Sequence, residues 1–208
     1  MFKNFYKLSL YKTAAFSIFT VFISLCAKPQ QATPQLLKEP AGWSFERFAL
    51  PPSFAPNFAY KGAEELRFSP GMFKKDSTDY FTYIFAAQLD NIRTMSQDNI
   101  RNYLLDYFKG LCGSTAKERK LLIDTNKITV AVEKKKGTPT EEIIYNATLN
   151  VFGVFADGAA VKLNMEVKAL TNANAKKAYL IFIASPREKT AAVWKDLYAI
   201  QKRFVMPL

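Results

Sequence analysis

The chain predicts an α+β fold: an antiparallel sheet, a meander, with two amphipathic helices packed on it as an α/β sandwich. Three observations carry this. Several stretches alternate apolar and polar residues at a period of two, two others repeat apolar residues at helical spacing, and turn residues separate the strands at short intervals. With 208 residues, 49% hydrophobic and 14% aromatic, the composition is that of a chain with a core, not of a disordered one.

The elements follow in order. Trp43–Leu50 reads as a short strand, closed by Pro51-Pro52, which suit neither a helix interior nor a central strand. Phe54 and Phe58 pin the loop after it. Glu64–Phe68 alternates Glu64/Leu66/Phe68 against Glu65/Arg67, and Asp79–Leu89 alternates Phe81/Tyr83/Phe85 against Tyr80/Thr82/Ile84, so both read as strands. The turn-rich segment from Pro70 to Asp79 joins them. Ile100, Tyr103, Leu104, Tyr107, Phe108 and Leu111 then form one helical stripe, with Thr94 or Ser96 as cap and Gly110 or Gly113 as stop. Lys117–Ile123 adds a further helical turn.

Four strands come next: Lys127–Lys135, Glu142–Val151, Ala160–Leu170 and Ala178–Ala184. The connections are Lys136–Thr140, the hairpin dipeptide Asp157-Gly158, and Thr171–Asn174. Each of the first three places apolar residues on one face and Thr, Asn, Lys or Glu on the other, the pattern of an antiparallel sheet wet on one side. Ser185-Pro186-Arg187-Glu188 has the form of a capping box opening a last helix. Its stripe is Val193, Leu197, Ile200 and Phe204, widened by Trp194 and Tyr198.

The N-terminus reads as an export signal. Lys3, Lys7 and Lys12 precede Thr13–Leu25, an uncharged run of 13 residues. That is shorter than the roughly 20 residues of a spanning helix and the right length for a secretory h-region. Cys26 sits where a bacterial lipoprotein carries its acylated cysteine, although Leu25 is larger than a strict lipobox allows. The alternative is ordinary cleavage near Cys26 or Ala27. The expected organisation is a leader over 1–26 of lipoprotein type, a polar Pro/Gln-rich tether over 27–42, and one domain over 43–208. The mature chain then has no transmembrane helix and meets the membrane through a lipid anchor. It lies in the bacterial cell envelope, at the outer membrane or in the periplasm.

Charge and missing residues bound the chemistry. There is no histidine, which excludes a Ser-His-Asp triad, a Cys-His pair and His-ligated metals. No motif calls for a cofactor or a metal, and Asp157-Gly158 lacks the acidic repeat of a calcium loop. Removing residues 1–26 takes away three lysines and no acid, which lowers the net charge from +11 to +8. The remaining runs, Lys134-Lys135-Lys136 and Lys176-Lys177 with Lys74-Lys75, sit at strand ends. They read as a solvated rim or as a contact for an anionic surface or a protein partner, not as a nucleic-acid groove. The first two runs occupy connections at the same end of the expected meander.

The stretch from Trp43 through Glu46, Phe54-Ala55-Pro56, Lys61-Gly62 and Glu64-Glu65-Leu66-Arg67-Phe68 to Pro70-Gly71-Met72-Phe73 resembles the signature of an uncharacterised family of exported bacterial proteins. The resemblance covers about 30 residues and implies export and a single domain; the family carries no established activity. The element order is similar to that of PsbP-like α/β/α domains, a likeness of topology that implies no function.

Candidate site residues are few. Without histidine, acid/base work falls on Glu, Asp, Lys or Tyr. Glu64, Arg67 and a tyrosine such as Tyr80 or Tyr83 would have to meet in one cleft to form a carboxylate-based hydrolase. Glu64 and Glu65 are adjacent on a strand and cannot form a dyad. Glu65 and Arg67 share a face, where the plain reading is a surface ion pair worth about 0–1 kcal/mol. Cys112, expected at a helix C-terminus, reads as a small core residue, because the dipole there raises a thiol pKa. Eighteen phenylalanines are enough to line an apolar pocket. The expected function is a non-enzymatic binding module on a lipid anchor, with the histidine-free hydrolase and a carrier of an apolar small ligand as alternatives.

Overall fold

The computed structural model describes residues 35–38, 40–136, 142–172, 176–204 and 206–207. The expected leader, Cys26, most of the tether, the loop Gly137–Thr140 and Asn174 with its neighbours lie outside the described residues.

Seven strands make one antiparallel sheet: β1 (Ser44–Leu50), β2 (Gly62–Phe68), β3 (Tyr83–Asp90), β4 (Thr129–Lys134), β5 (Ile143–Phe152), β6 (Ala160–Asn172) and β7 (Lys177–Ser185). Their spatial order is β1-β2-β3-β7-β6-β5-β4. The sheet is therefore two meanders, β1–β3 and β4–β7, joined along β3 and β7. α1 (Gln97–Arg119) carries the chain from β3 to the far edge, and α2 (Val193–Gln201) follows β7.

The two helices take opposite faces. α1 buries Ile100, Tyr103, Leu104, Tyr107 and Phe108 against Leu66, Phe85, Leu163, Leu180 and Phe182. α2 buries Trp194, Leu197 and Ile200 against Ile84, Ala86, Tyr179, Ile181 and Ile183. Burial of these large side chains contributes about 1.5–3 kcal/mol each. The two central strands are thus covered on both faces, while β4 and β5 keep the expected wet side, with Thr129, Asn146 and Asn150 exposed.

The structure departs from the sequence reading in three local places. The strand expected at Asp79 begins at Tyr83. Residues 69–82 form a loop in which the Asp79 carboxylate accepts from the Gly71 N–H at 2.9 Å and from the Ser77 hydroxyl, and Phe81 adopts a φ of 50°. α1 does not stop at Gly110 or Gly113 but runs to Arg119, with Lys120 left-handed at its end. Gly110 is instead a contact: a Cβ there would lie 2.7 Å from the Ala55 Cβ and 2.8 Å from the Phe54 carbonyl oxygen. The Ser185 capping box does not form. Ser185 is the last residue of β7, and its hydroxyl sits 2.7 Å from that of Thr82 and accepts from the Arg187 N–H. The Arg187 guanidinium donates to the carbonyls of Ser77 and Thr78, which holds residues 186–192 as a loop across the sheet end; α2 starts at Val193 without a side-chain cap.

Other readings stand. Ser96 caps α1 in a reciprocal pair with Asn99. Asp157-Gly158 turns β5 into β6, with Gly158 at φ 75°. Among the described residues no helix is long and apolar enough to cross a membrane.

Candidate functional site

β2 carries the charged residues singled out from the sequence, and strand alternation sends them to opposite faces. Glu64 points into the α1 layer, Glu65 and Arg67 into the α2 layer, and all three are 0% exposed. Glu64 therefore does not meet Arg67, and the single cleft of the hydrolase reading does not assemble.

Glu64 sits among aromatic rings. Its two carboxyl oxygens accept from the hydroxyls of Tyr107 at 2.7 Å and Tyr103 at 3.0 Å, both on α1. Burial without a facing cation lifts its pKa to about 8, against the pull of the two tyrosine bonds, and Glu46 on the neighbouring strand adds to the rise. Glu64 is thus protonated at neutral pH. Burial, reinforced by Glu64, pushes Tyr103, Tyr107 and Tyr83 well above the usual tyrosine value. Tyr83 lies in this layer, but its hydroxyl is not bonded to Glu64. Tyr80 lies apart from Glu64, near Gly153 in the loop between β5 and β6.

On the opposite face Glu65 and Arg67 are not a surface pair. One Glu65 oxygen accepts from the backbone N–H groups of Leu36 at 3.0 Å and Leu37 at 3.1 Å and lies 3.5 Å from Arg67. Its other oxygen is 3.1 Å from the Arg47 guanidinium. Arg67 donates to the Leu37 and Leu66 carbonyls and lies over the Phe45 ring. Leu36 and Leu37 fall within the stretch expected as a polar tether, yet both are buried in the α2-side core. They are the only large aliphatic pair in that stretch, and the buried charges answer their backbone groups.

Open functional groups lie elsewhere, along β6 beside α2. Asn164, Glu166, Lys168 and Leu170 alternate onto the α2 face, where α2 packs on β7 and β3, its Tyr198 reaches Glu166 on β6, and the outer strands β4 and β5 stay uncovered. Glu166, 4% exposed, is flanked by the ammoniums of Lys135 and Lys189, each at 3.7 Å, and accepts from the Tyr198 hydroxyl at 3.3 Å. Lys189 also donates to Asn146 at 2.6 Å. Desolvation holds Lys189 below the ordinary lysine value, with Lys135 pushing the same way and Glu166 opposing. Burial and Glu166 push Tyr198 up to about 12.

This trough opens, past the start of β5, into a groove of about 650 Å³. β5 begins at Ile143 opposite Ala169, and β6 continues beyond it through Leu170 and Thr171. The resulting notch is bordered by Met95, Gln201, Lys202, Phe204 and Met206. Within it Lys168 is paired to Glu142 at 2.6 Å.

The basic runs share one end of the sheet, as expected from the meander, but do not form one patch. Lys135 turns inward to Glu166, Lys134 closes β4, and Lys136 follows it. Lys177 lies 3.7 Å from Asp90, four residues further along β7 and with β6 and β5 between it and β4. Lys176 adopts a left-handed φ of 51° just before β7.

Cys112 lies inside α1, not at its end. It is buried, with its Sγ 3.8 Å from the Phe152 carbonyl, and burial pushes its thiol up to about 11. Among the described residues no three Cys, Asp or Glu side chains gather as a metal site. Sequence reasoning missed Glu166, Lys189, Tyr198, Gln201 and Lys202. The one available signal was Glu166, a single acid between Met165 and Val167 in the middle of a strand.

The fold and site define a class: a seven-stranded antiparallel α+β sandwich with an uncovered trough beside its C-terminal helix. No family model, no curated protein and no solved structure matches the chain.

Proposed function

We propose that the chain is an exported, lipid-anchored protein of the bacterial cell envelope whose domain is a non-enzymatic binding module, binding through the trough and groove beside α2. The observation that carries this reading is the allocation of the charged residues. Glu64, Glu65 and Arg67 are enclosed by the fold, and Glu166 is nearly so beneath Lys135, Lys189 and Tyr198, whereas Lys189, Lys168 and Lys202 keep exposed or half-exposed side chains beside α2. The Lys3–Cys26 segment, and the resemblance of Trp43–Phe73 to exported bacterial proteins, support the envelope location. The strap at Leu36–Leu37 leaves nine residues, 27–35, between the acylated cysteine and the domain.

Labelled palmitate supplied to cells making the chain or its Cys26→Ser variant tests the anchor. Label and membrane fractionation should both be lost in the variant. Equal fractionation of the two would overturn the anchored reading.

A further inference from the structure

We infer that the basic end of the sheet rests against an anionic phospholipid bilayer, so that the domain lies on the membrane as well as being tethered to it. The inference rests on the anchored, envelope reading and adds to it a second, electrostatic contact with that membrane.

The charge is unevenly placed. One end of the sheet gathers the segments 51–61, 90–98, 133–142, 168–177 and 201–208, and there Lys and Arg outnumber Asp and Glu ten to five. At the other end, segments 69–82, 117–128, 153–160 and 186–192 carry eight against six. Two acids of the basic end are already used, Asp90 beside Lys177 and Glu142 beside Lys168. Six cations are left over. Arg93, Lys134, Lys136, Lys176, Lys202 and Arg203 are all exposed and make no ion pair among the described residues.

These cations are spread along a slope, and the spread decides the kind of partner. β7 runs about four residues, or about 13 Å, past the level of Lys135, and three strand spacings, about 14 Å, separate β7 from β4. Lys202 stands on the rim of the notch between the two runs. A plane inclined about 45° to the strands follows that step from Lys136 past Lys202 to Lys176. A bilayer surface is such a plane. Its field extends over a screening length of about 8–10 Å, so cations one or two strands apart act together without forming one patch. A protein partner is held instead by large side chains buried at the centre of its interface. Among the described residues Met206, 40% exposed, is the one large hydrophobic side chain left open at this end.

The strap points the same way. A Cβ on Gly42 would lie 3.9 Å from Pro70, beyond the Phe68 end of β2. Going upstream, Leu37 meets Arg67 and Leu36 meets Glu65, so the chain runs along β2 toward Gly62 and the basic end. Glu65 is three residues, about 10 Å, from that end of β2. The nine residues 27–35 span at most about 30 Å. An acyl group on Cys26 therefore holds a bilayer within reach of the basic end.

The test adds the chain, as processed by cells that make it, to preformed vesicles of phosphatidylcholine or of an equal mixture of phosphatidylcholine and phosphatidylglycerol. Lysines are acetylated with an uncharged reagent, and the rate at each is mapped by mass spectrometry. On the anionic vesicles Lys134, Lys136, Lys176 and Lys202 should react about fivefold more slowly than on the neutral ones, the factor that one lysine's attraction to such a surface represents. Lys74, Lys120 and Lys127, exposed at the opposite end, should not change. Molar salt should remove the difference, because the screening length falls to about 3 Å. The variant Lys134→Glu/Lys136→Glu/Lys176→Glu should abolish the protection of Lys202, and Lys134→Arg/Lys136→Arg/Lys176→Arg should keep it; all three positions are exposed, so the variants fold. Equal rates on the two kinds of vesicle, or equal protection at both ends of the sheet, would overturn the inference. So would protection in native envelope membranes that is absent on anionic vesicles, which assigns this end to an acidic protein. Flotation with neutral vesicles, compared with Cys26→Ser, scores the anchor on the same protein, so failure of the anchor and failure of the docking are read separately.

Discussion

Replacing Glu64 by glutamine should remove a defined part of the pH dependence of stability. The folded carboxyl has its pKa at about 8, against an ordinary value of 4.5. The native state therefore holds this proton more tightly than the unfolded chain. The stabilisation is fully present below pH 4.5, is lost progressively as pH rises, and is gone above pH 8. One such group makes stability fall by about 1.4 kcal/mol per pH unit inside that window, or about 5 kcal/mol across it. Because Glu64 is 0% exposed, solvent screening does not reduce this figure. A glutamine amide keeps the shape and can still bond both tyrosine hydroxyls, but it does not titrate. Urea unfolding at pH 5.5, 6.5 and 7.5, followed by tryptophan fluorescence, gives the stability of both proteins. The difference between wild type and Glu64→Gln should shift by about 2–3 kcal/mol over those two units in favour of the variant. Groups common to both proteins cancel in that difference. A difference that stays constant from pH 5.5 to 7.5 would show that Glu64 is charged in the folded protein and would refute the argument.

Three further outcomes follow from the same contacts. Arg67→Met leaves the buried Glu65 carboxylate with Arg47 as its one remaining cation among the described residues and removes a donor from the Leu37 carbonyl, so it should cost about 3–5 kcal/mol in chemical denaturation, with part recovered in the Glu65→Leu/Arg67→Met double variant. Gly110→Ala gains about 1 kcal/mol of helix propensity, but its Cβ meets the Phe54 carbonyl and Ala55, an overlap that costs about 1–3 kcal/mol. A lowered Tm is expected, and a raised one would mean that the loop yields freely. The Cys112 thiol, buried and raised to about 11, should stay unmodified by iodoacetamide at pH 8 until denaturant is added, read on the peptide that contains it.

The α1 stripe was legible because its hydrophobic spacing alone decides which side packs: Ile100, Tyr103, Leu104, Tyr107 and Phe108 are all buried. The strands were legible from alternation, and the Asp157-Gly158 turn from its dipeptide. β2 misled because Glu64, Glu65 and Arg67 read as one wet face and one packed face. Burial of the second face depends on Leu36–Leu37 and on α2, which are distant in sequence, and local alternation carries no trace of them. α2 began late for a similar reason: Arg187 is held by carbonyls from Ser77 and Thr78, about 110 residues upstream. The trough was invisible because it depends on which strands α2 leaves uncovered, a matter of how far one helix reaches across a sheet.

The seam between β3 and β7 also has a kinetic meaning. Within β1–β3 and within β4–β7 every ladder joins neighbours in sequence, so each block closes short loops. The seam alone joins Tyr83 to Ala184 and Asp90 to Lys177. Its loop-closure entropy is met only when the whole C-terminal block is present, which makes it the slow, high-contact-order step of assembly. Until it closes, the inner edges of β3 and β7 are bare, apolar strands of the kind that pair with other chains. A nascent chain truncated before β7 would thus present two half-sheets, β1–β3 and β4–β6, with the edges of β3 and β6 unpaired.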